Sequence, residues 1–358
     1  MILSLYVARR FARMFLLVTG VFFAILFMVE TIEQVRRMAG SENGLRQAAT
    51  LALLNVPGSI YRILPLITIL ATVSLFLMLS RTSELVVIRA AGRSALRSLV
   101  APLVTALGIG VLAVSTLNPI VASTTKRAED LSARYMQGQI NVLSVGREGL
   151  WLRQGGETGQ IVIHARRSNA DGTVLQNVTF LTLEGGSRPM SRLEAAEARL
   201  EPGRWVLNKV KEWNLGPDAN PEGKSRRLAS MDLPSDLTAE KIKDSFADPA
   251  VIPFWDLPSF ISNLRSAGFS ATRHELWFQT ELSLPLLLAA MVLGGAGLTM
   301  RHARFGRAGL MALLSVIFGF AVFFLRNFAQ ILGENGHIPV LLAAWSPPVA
   351  AIMMSVAL

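Results

Sequence analysis

Residues 60–79 read IYRILPLITILATVSLFLML, a run of 20 in which Arg62 is the only charge. At 1.5 Å per residue a helix of this length covers about 30 Å, the thickness of a bilayer's hydrocarbon core. The same pattern recurs on both sides, at 11–29 and 99–117, and again at 282–300, 308–331 and 338–358. No such run lies between Asn118 and Glu275. The chain has 358 residues, 51% apolar and 17% charged, where soluble proteins carry about 25% charge. These features predict an α-helical membrane protein with six transmembrane helices, three plus three, around an inserted polar middle. The expected divisions are 1–117, 118–275 and 276–358. A cleavable leader is the competing reading of 11–29, but the chain continues Glu30-Thr31-Ile32-Glu33-Gln34 with no small-x-small site.

The charges orient the spans. The middle holds 20 Lys and Arg against 19 Asp and Glu, so almost none of the net +10 resides there. Instead Arg9, Arg10 and Arg13 precede the first run. Arg81, Arg89, Arg93 and Arg97 follow the second, and Arg301, Arg304 and Arg307 follow the fourth, with Glu84 as the single acid among them. Arginine-rich connections alternate with balanced ones, as the positive-inside rule requires of six spans. Both termini and the loops 80–98 and 301–307 are therefore expected in the cytoplasm, with the middle domain outside. A nucleic-acid interface would need a clustered basic face on a soluble domain, so nucleic acid is not an expected partner.

The middle is expected to be all-β. QIVIHA at 160–165 and TVLQNVTFLTL at 173–183 alternate with β-branched residues. Shorter strands are expected at 141–145, 149–153, 193–200 and 204–213. Turn signals fall at 170–172, 187–189 and 202–203, and a polar loop at 217–227. Antiparallel strands about ten residues apart predict a sandwich or jelly roll. A helix over 258–267 leads back to the membrane.

Catalytic motifs fail one by one. His274-Glu275 opens a zincin pattern, but Phe278 stands where its second histidine belongs. Gly223-Lys224-Ser225 resembles the end of a P-loop, yet Asp218 replaces the first glycine. There is no G-x-S-x-G elbow. With no cysteine, disulfides, thiolate metal sites and cysteine nucleophiles are all excluded. No cofactor is expected, and the chain is expected not to be an enzyme.

Residues 80–94, SRTSELVVIRAAGRS, carry the most information. Ser80 or Thr82 can cap a short helix over about 82–92, Glu84 suits its first turn, and Gly92 ends it. Leu85, Val86 and Ile88 give it an apolar side. Such a helix can dock a partner, or lie at the interface with Arg89, Arg93 and Arg97 on anionic headgroups. Arg326 lies inside the fifth run, where a lipid-facing arginine costs about 2.5–3.5 kcal/mol. It either faces a cavity or reaches outward to the membrane surface. Arg36 and Arg37, just past the first run, can meet anionic groups or stay solvated near Glu30 and Glu33. Gly294-Gly295-Ala296-Gly297 permits close helix packing.

Together these features resemble the LptF/LptG permease family of the lipopolysaccharide-export ABC transporter, over essentially the whole chain. The local matches are Tyr6-x-x-Arg9, RTSELVVIRAAG at 81–92 and GLWL at 149–152, and they favour the LptG branch. The resemblance implies a bacterial inner-membrane subunit paired with the paralogous permease LptF on a dimer of the ATPase LptB. Lipopolysaccharide would pass through a jelly-roll-like periplasmic domain to LptC and LptA. Glu84 matches the acid of the family's coupling helix, which Leu85 and Arg89 accompany. Arg36 and Arg37 match basic positions near the lipid phosphates, with Arg326 a further candidate contact, and Glu30 stands where some relatives have a lysine. The alternative from another class is a membrane-anchored envelope scaffold that binds partners through its β domain, independent of any ATPase.

Overall fold

The computed structural model describes residues 2–37, 44–82, 84, 95–135, 143–146, 149–156, 159–169, 172–184, 188–215, 222–223, 225–235, 237–238, 242, 248–266, 270–300 and 308–357. The chain forms two compact units. One comprises Met1–Tyr135, Pro249–Trp255 and Thr272–Leu358, the other Met136–Asp248 and Asp256–Ala271.

The first unit is helical. It contains α1 (Ile2–Arg37), α2 (Gly44–Arg62), α3 (Leu64–Arg81), α4 (Ala95–Leu112) and α5 (Asn118–Tyr135). After the second unit, which holds α6 (Leu257–Ser266), come α7 (Thr272–Met300), α8 (Ala308–Glu334) and α9 (Val340–Ala357). Among the described residues, six helices are long and apolar enough to cross a membrane. The apolar run at 60–79 is not one helix, because the chain breaks at Ile63 and Pro65 sits in the first turn of α3, where its missing N–H costs nothing. The third span does not stop at Leu117. It passes through a π-helical turn, Ala113–Leu117, into α5, whose sequence turns polar while the helix continues. Hydropathy marked 117 as an end, but only apolarity ends there. Pro119 cannot donate to the Ser115 carbonyl, and the Trp255 indole N–H donates to it instead, at 3.0 Å.

Helix α7 lies at the centre, packed against α3, α4, α8 and α9. Apolar burial gives little drive between helices in lipid, so close backbone approach matters more. A Cβ on Gly110 of α4 would lie 2.5 Å from the Pro285 Cα of α7, and one on Gly294 would enter the Phe318 ring of α8. The glycine-rich stretch is thus a packing surface. Helix α1 packs on α2, α3 and α4 through Val7, Phe11 and Phe15, one face at four-residue spacing. Beyond Phe15 no α1 side chain is fully buried until Gln34.

The second unit is a seven-stranded antiparallel meander: β1 (Leu143–Gly146), β2 (Gly149–Gly156), β3 (Gly159–Ser168), β4 (Val174–Glu184), β5 (Arg188–Glu201), β6 (Arg204–Asn214) and β7 (Arg226–Pro234). It is the expected inserted all-β domain, with each strand beside its sequence neighbours. One face carries the core, including Leu152, Ile163, Phe180, Leu193 and Trp205, and Leu264 of α6 joins it. Each such fully buried side chain contributes about 1.5–3 kcal/mol.

The sheet curls strongly. Gln154 of β2 donates to the Pro234 carbonyl at the end of β7, at 3.0 Å. At about 4.8 Å per strand, those positions would lie about 24 Å apart in a flat sheet. The bend has a visible origin. Burial alternates along β3 to β6 but slips once in each strand, between Ala165 and Ser168, Leu175 and Val178, Ala195 and Ala198, and Leu207 and Val210. Arg166, Asn177, Ala196 and Lys209 stand opposite one another in this row, and ladder pairing lapses there while the register is kept. Asn177 and Lys209 adopt left-handed φ values of 51° and 53°. A crease therefore crosses four strands, as bulges bend sheets elsewhere.

Candidate functional site

The arginine-rich end of α1 holds the acid singled out by the sequence. Tyr6 and Arg10 are four residues apart and share a helix face. The Arg10 guanidinium lies 5.4 Å from the Tyr6 ring centroid. Arg10 donates to Glu84 Oε2 and forms an ion pair with it, and the Tyr6 hydroxyl donates to the same oxygen at 3.0 Å. The hydrogen bond from Arg10, with a lesser one from Tyr6, holds the Glu84 carboxyl below the usual carboxylate range against a modest opposing effect of burial. Glu84 is therefore a charged group fixed to α1. Beside it opens a cavity of about 480 Å³, lined in part by Arg9, Arg13, Met14 and Met78. Leu85 and Arg89 lie outside the described residues, as does most of the expected helix at 82–92.

The other end of α1 carries Arg36 and Arg37, both on the helix and exposed. They share Glu33, with Arg36 Nη2 2.8 Å and Arg37 Nε 3.1 Å from its carboxylate. One carboxylate thus faces two exposed guanidinium groups. Glu30 turns to its neighbours instead, accepting from Gln34 Nε2 and from Asn55 Nδ2 of α2, each at 2.9 Å. Glu33 thus serves the helix itself, while Glu30 also ties it to α2.

Arg326 of α8 is partly buried, within electrostatic reach of Glu281 of α7 and of Tyr61. Glu281 is fully buried and accepts from the Tyr61 hydroxyl. Asn118 lies beside both, and its Oδ1 accepts from the Phe254 backbone N–H at 2.9 Å. The arginine thus has an acid within electrostatic reach, with no ion pair between the two. An uncompensated charge inside a membrane is costly, and such groups pair with one another. The sequence singles out Arg326 but gives Glu281 no such prominence. An acid at the threshold of one apolar run, Glu281 before 282–300, with an arginine inside the next, is the available signal. The partnership of Arg10 with Glu84 had a similar signal, since Glu84 is the one acid among ten arginines. Among the described residues no group of His, Asp or Glu could hold a metal ion.

Comparison with known proteins finds relatives along nearly the whole chain. The family described as lipopolysaccharide export system permease LptF/LptG matches residues 5–358. The lipopolysaccharide export system permease protein LptG of Escherichia coli K12 is 23% identical over 331 residues, covering 92% of this chain and 89% of that protein. Its counterpart from Haemophilus influenzae Rd is 24% identical over 332 residues, covering 91% and 89%. With its six membrane-span helices, its inserted antiparallel sheet and a family match that runs almost from end to end, this multi-pass membrane protein belongs to the LptF/LptG family of lipopolysaccharide export permeases.

Proposed function

We propose that the chain is the permease subunit of an ABC transporter that extracts lipopolysaccharide from the bacterial inner membrane. It pairs with a paralogous permease of the LptF type on an LptB ATPase dimer, and its β domain faces the periplasm and hands the lipid to LptC and LptA. Nucleotide chemistry belongs to the ATPase, so this chain is a transport subunit without a cofactor or catalytic residues of its own. Both termini are cytoplasmic on this reading, as the arginine-rich loops require.

The observation that carries the reading is Glu84. It is a carboxylate at the arginine-rich end of the bundle, in the segment that docks the ATPase in this family, and it is held by two side chains of the first span. A permease without a nucleotide site needs a mechanical link to its motor, and a fixed charge on a docking helix supplies one. At the opposite end, the exposed guanidinium groups of Arg36 and Arg37 suit lipid phosphates. Arg326 is a third candidate contact for the lipid.

In the assembled transporter, Glu84→Ala should uncouple ATP hydrolysis from lipid release or weaken co-purification with the ATPase. Unchanged co-purification together with unchanged ATP-driven release would refute the assignment. Photo-crosslinkers at positions 36 and 37 should capture lipopolysaccharide, and persistent failure at both would remove those two residues from the substrate path.

A further inference from the structure

Helix α1 joins the two candidate sites. Its 36 residues from Ile2 to Arg37 form one helix with no proline, about 54 Å long. Arg10 and Tyr6 sit near one end and Arg36 and Arg37 at the other. The packing is uneven along this length. Val7, Phe11 and Phe15 are buried near the Glu84 end, Gln34 is buried near the other, and no side chain between Phe15 and Gln34 is fully buried. Over most of its length α1 is therefore held only by partial contacts. Toward its outer end, the bond between Glu30 and Asn55 ties it to α2.

We propose that α1 is the rod that carries motion of the coupling acid to the outer end of the bundle, with Arg10 and Tyr6 as the grip. The proposal rests on the reading of Glu84 as the acid that the ATPase moves. The grip is an ion pair and two hydrogen bonds converging on one oxygen, Glu84 Oε2. The Arg10 side chain is 13% exposed, so water screens the pair less than an open surface contact. When Glu84 shifts, Arg10 follows or the pair breaks. An unbroken helix transmits axial displacement and rotation with little loss, since its backbone hydrogen bonds run along the axis. Arg36 and Arg37 then change position relative to α2, and the Glu30–Asn55 bond must yield. Arg10 and Tyr6 are positioning residues in this scheme, and neither need touch the ATPase or the lipid.

The chain has no cysteine, so introduced cysteines are the only thiols of this subunit to label, with any cysteines of the partner subunits replaced. Spin labels at Ile32→Cys on α1 and Leu341→Cys on α9, both exposed, report the outer end in the full transporter in nanodiscs. The distance between them should change on trapping nucleotide in the ATPase. Arg10→Gln should abolish that change and lower ATP-driven lipopolysaccharide release about tenfold, the scale of losing a charge-assisted hydrogen bond. ATPase co-purification should persist, and Arg10→Lys should restore most of the distance change. If Arg10→Gln does not assemble, Tyr6→Phe removes one hydrogen bond while keeping the ring and carries the same test. A full nucleotide-dependent distance change in these variants, with Glu84→Ala uncoupled, would overturn the rod and leave the reading of Glu84 standing. If Glu84→Ala is itself fully coupled, that reading falls and the rod falls with it.

Discussion

Replacing Gln154 by leucine should open the rolled β domain along its clasp. The Gln154 side chain is 96% buried (4% exposed) and makes three bonds. Its amide donates to the Pro234 carbonyl at 3.0 Å, and its Oε1 accepts from Trp205 Nε1 at 3.1 Å and from the Ser235 hydroxyl at 2.7 Å. Leucine is similar in size, so the cavity left is small. Pro234 is exposed and Ser235 is partly exposed, so both can turn to water, each at a cost near the net worth of a hydrogen bond, about 0.5–1.5 kcal/mol. Trp205 is fully buried, and its stranded N–H costs about 1–3 kcal/mol. The sum is about 2–6 kcal/mol. Hydrogen exchange on the full chain in detergent should show this as faster exchange of β6 and β7 amides, with the helical unit unchanged. A Trp205→Phe background removes the stranded donor, so the cost of Gln154→Leu should fall there by about 1–3 kcal/mol. An equal cost in both backgrounds, or a cost below about 0.5 kcal/mol, would refute the clasp.

Other consequences are testable in the same protein. Gly294→Val should force α7 and α8 apart and lose about 1–3 kcal/mol through overpacking, read as a lower unfolding temperature in detergent. Gly20 has no atom within 4 Å of where its Cβ would be. Gly20→Ala should therefore be silent, while Gly20→Pro should kink α1 and abolish the nucleotide-dependent distance change at Ile32 with Glu84 and Arg10 intact. Lys209 holds a left-handed φ, so Lys209→Val should cost about 1–2 kcal/mol and Lys209→Gly should be near neutral, measured by exchange in β6. The Arg10 hydrogen bond lowers the Glu84 pKa from its ordinary 4.5. The ionised grip is thus complete above that value and is lost only as pH falls through the lowered one. The distance change should accordingly be flat between about pH 6 and 8, and a midpoint inside that window would contradict the assignment.

Much of the architecture was legible because bilayers and sheets impose simple periods. Residues 282–300 announce a span by length and composition alone, and QIVIHA at 160–165 announces a strand by alternation. What escaped notice has a common physical cause. Asn118–Tyr135 stays helical after its apolar character ends, so hydropathy placed a boundary where the backbone has none. The strand β7 (Arg226–Pro234) is almost wholly exposed, so it lacks the in–out alternation that a half-buried strand shows. The curl of the sheet is invisible locally because it depends on Gln154 meeting residues some eighty positions away. Glu84 could be singled out by composition, but its attachment to Arg10 bridges 74 positions of sequence and needed the fold to appear.

The crease at Arg166, Asn177, Ala196 and Lys209 also acts as a phase shift. On one side of it the odd-numbered residues of β3 point inward, ending at Ala165, and on the other side the even-numbered Ser168 does. The inner face is continuous only because the neighbouring strands change parity at the same row. Deleting one residue there, Asn177 for instance, would leave β4 out of phase with both neighbours over half its length. Either its buried residues turn to water or its hydrogen bonds miss their partners. Length in this sheet is therefore a collective property. A strand can lengthen or shorten freely at its ends, but at the crease the strands must change together.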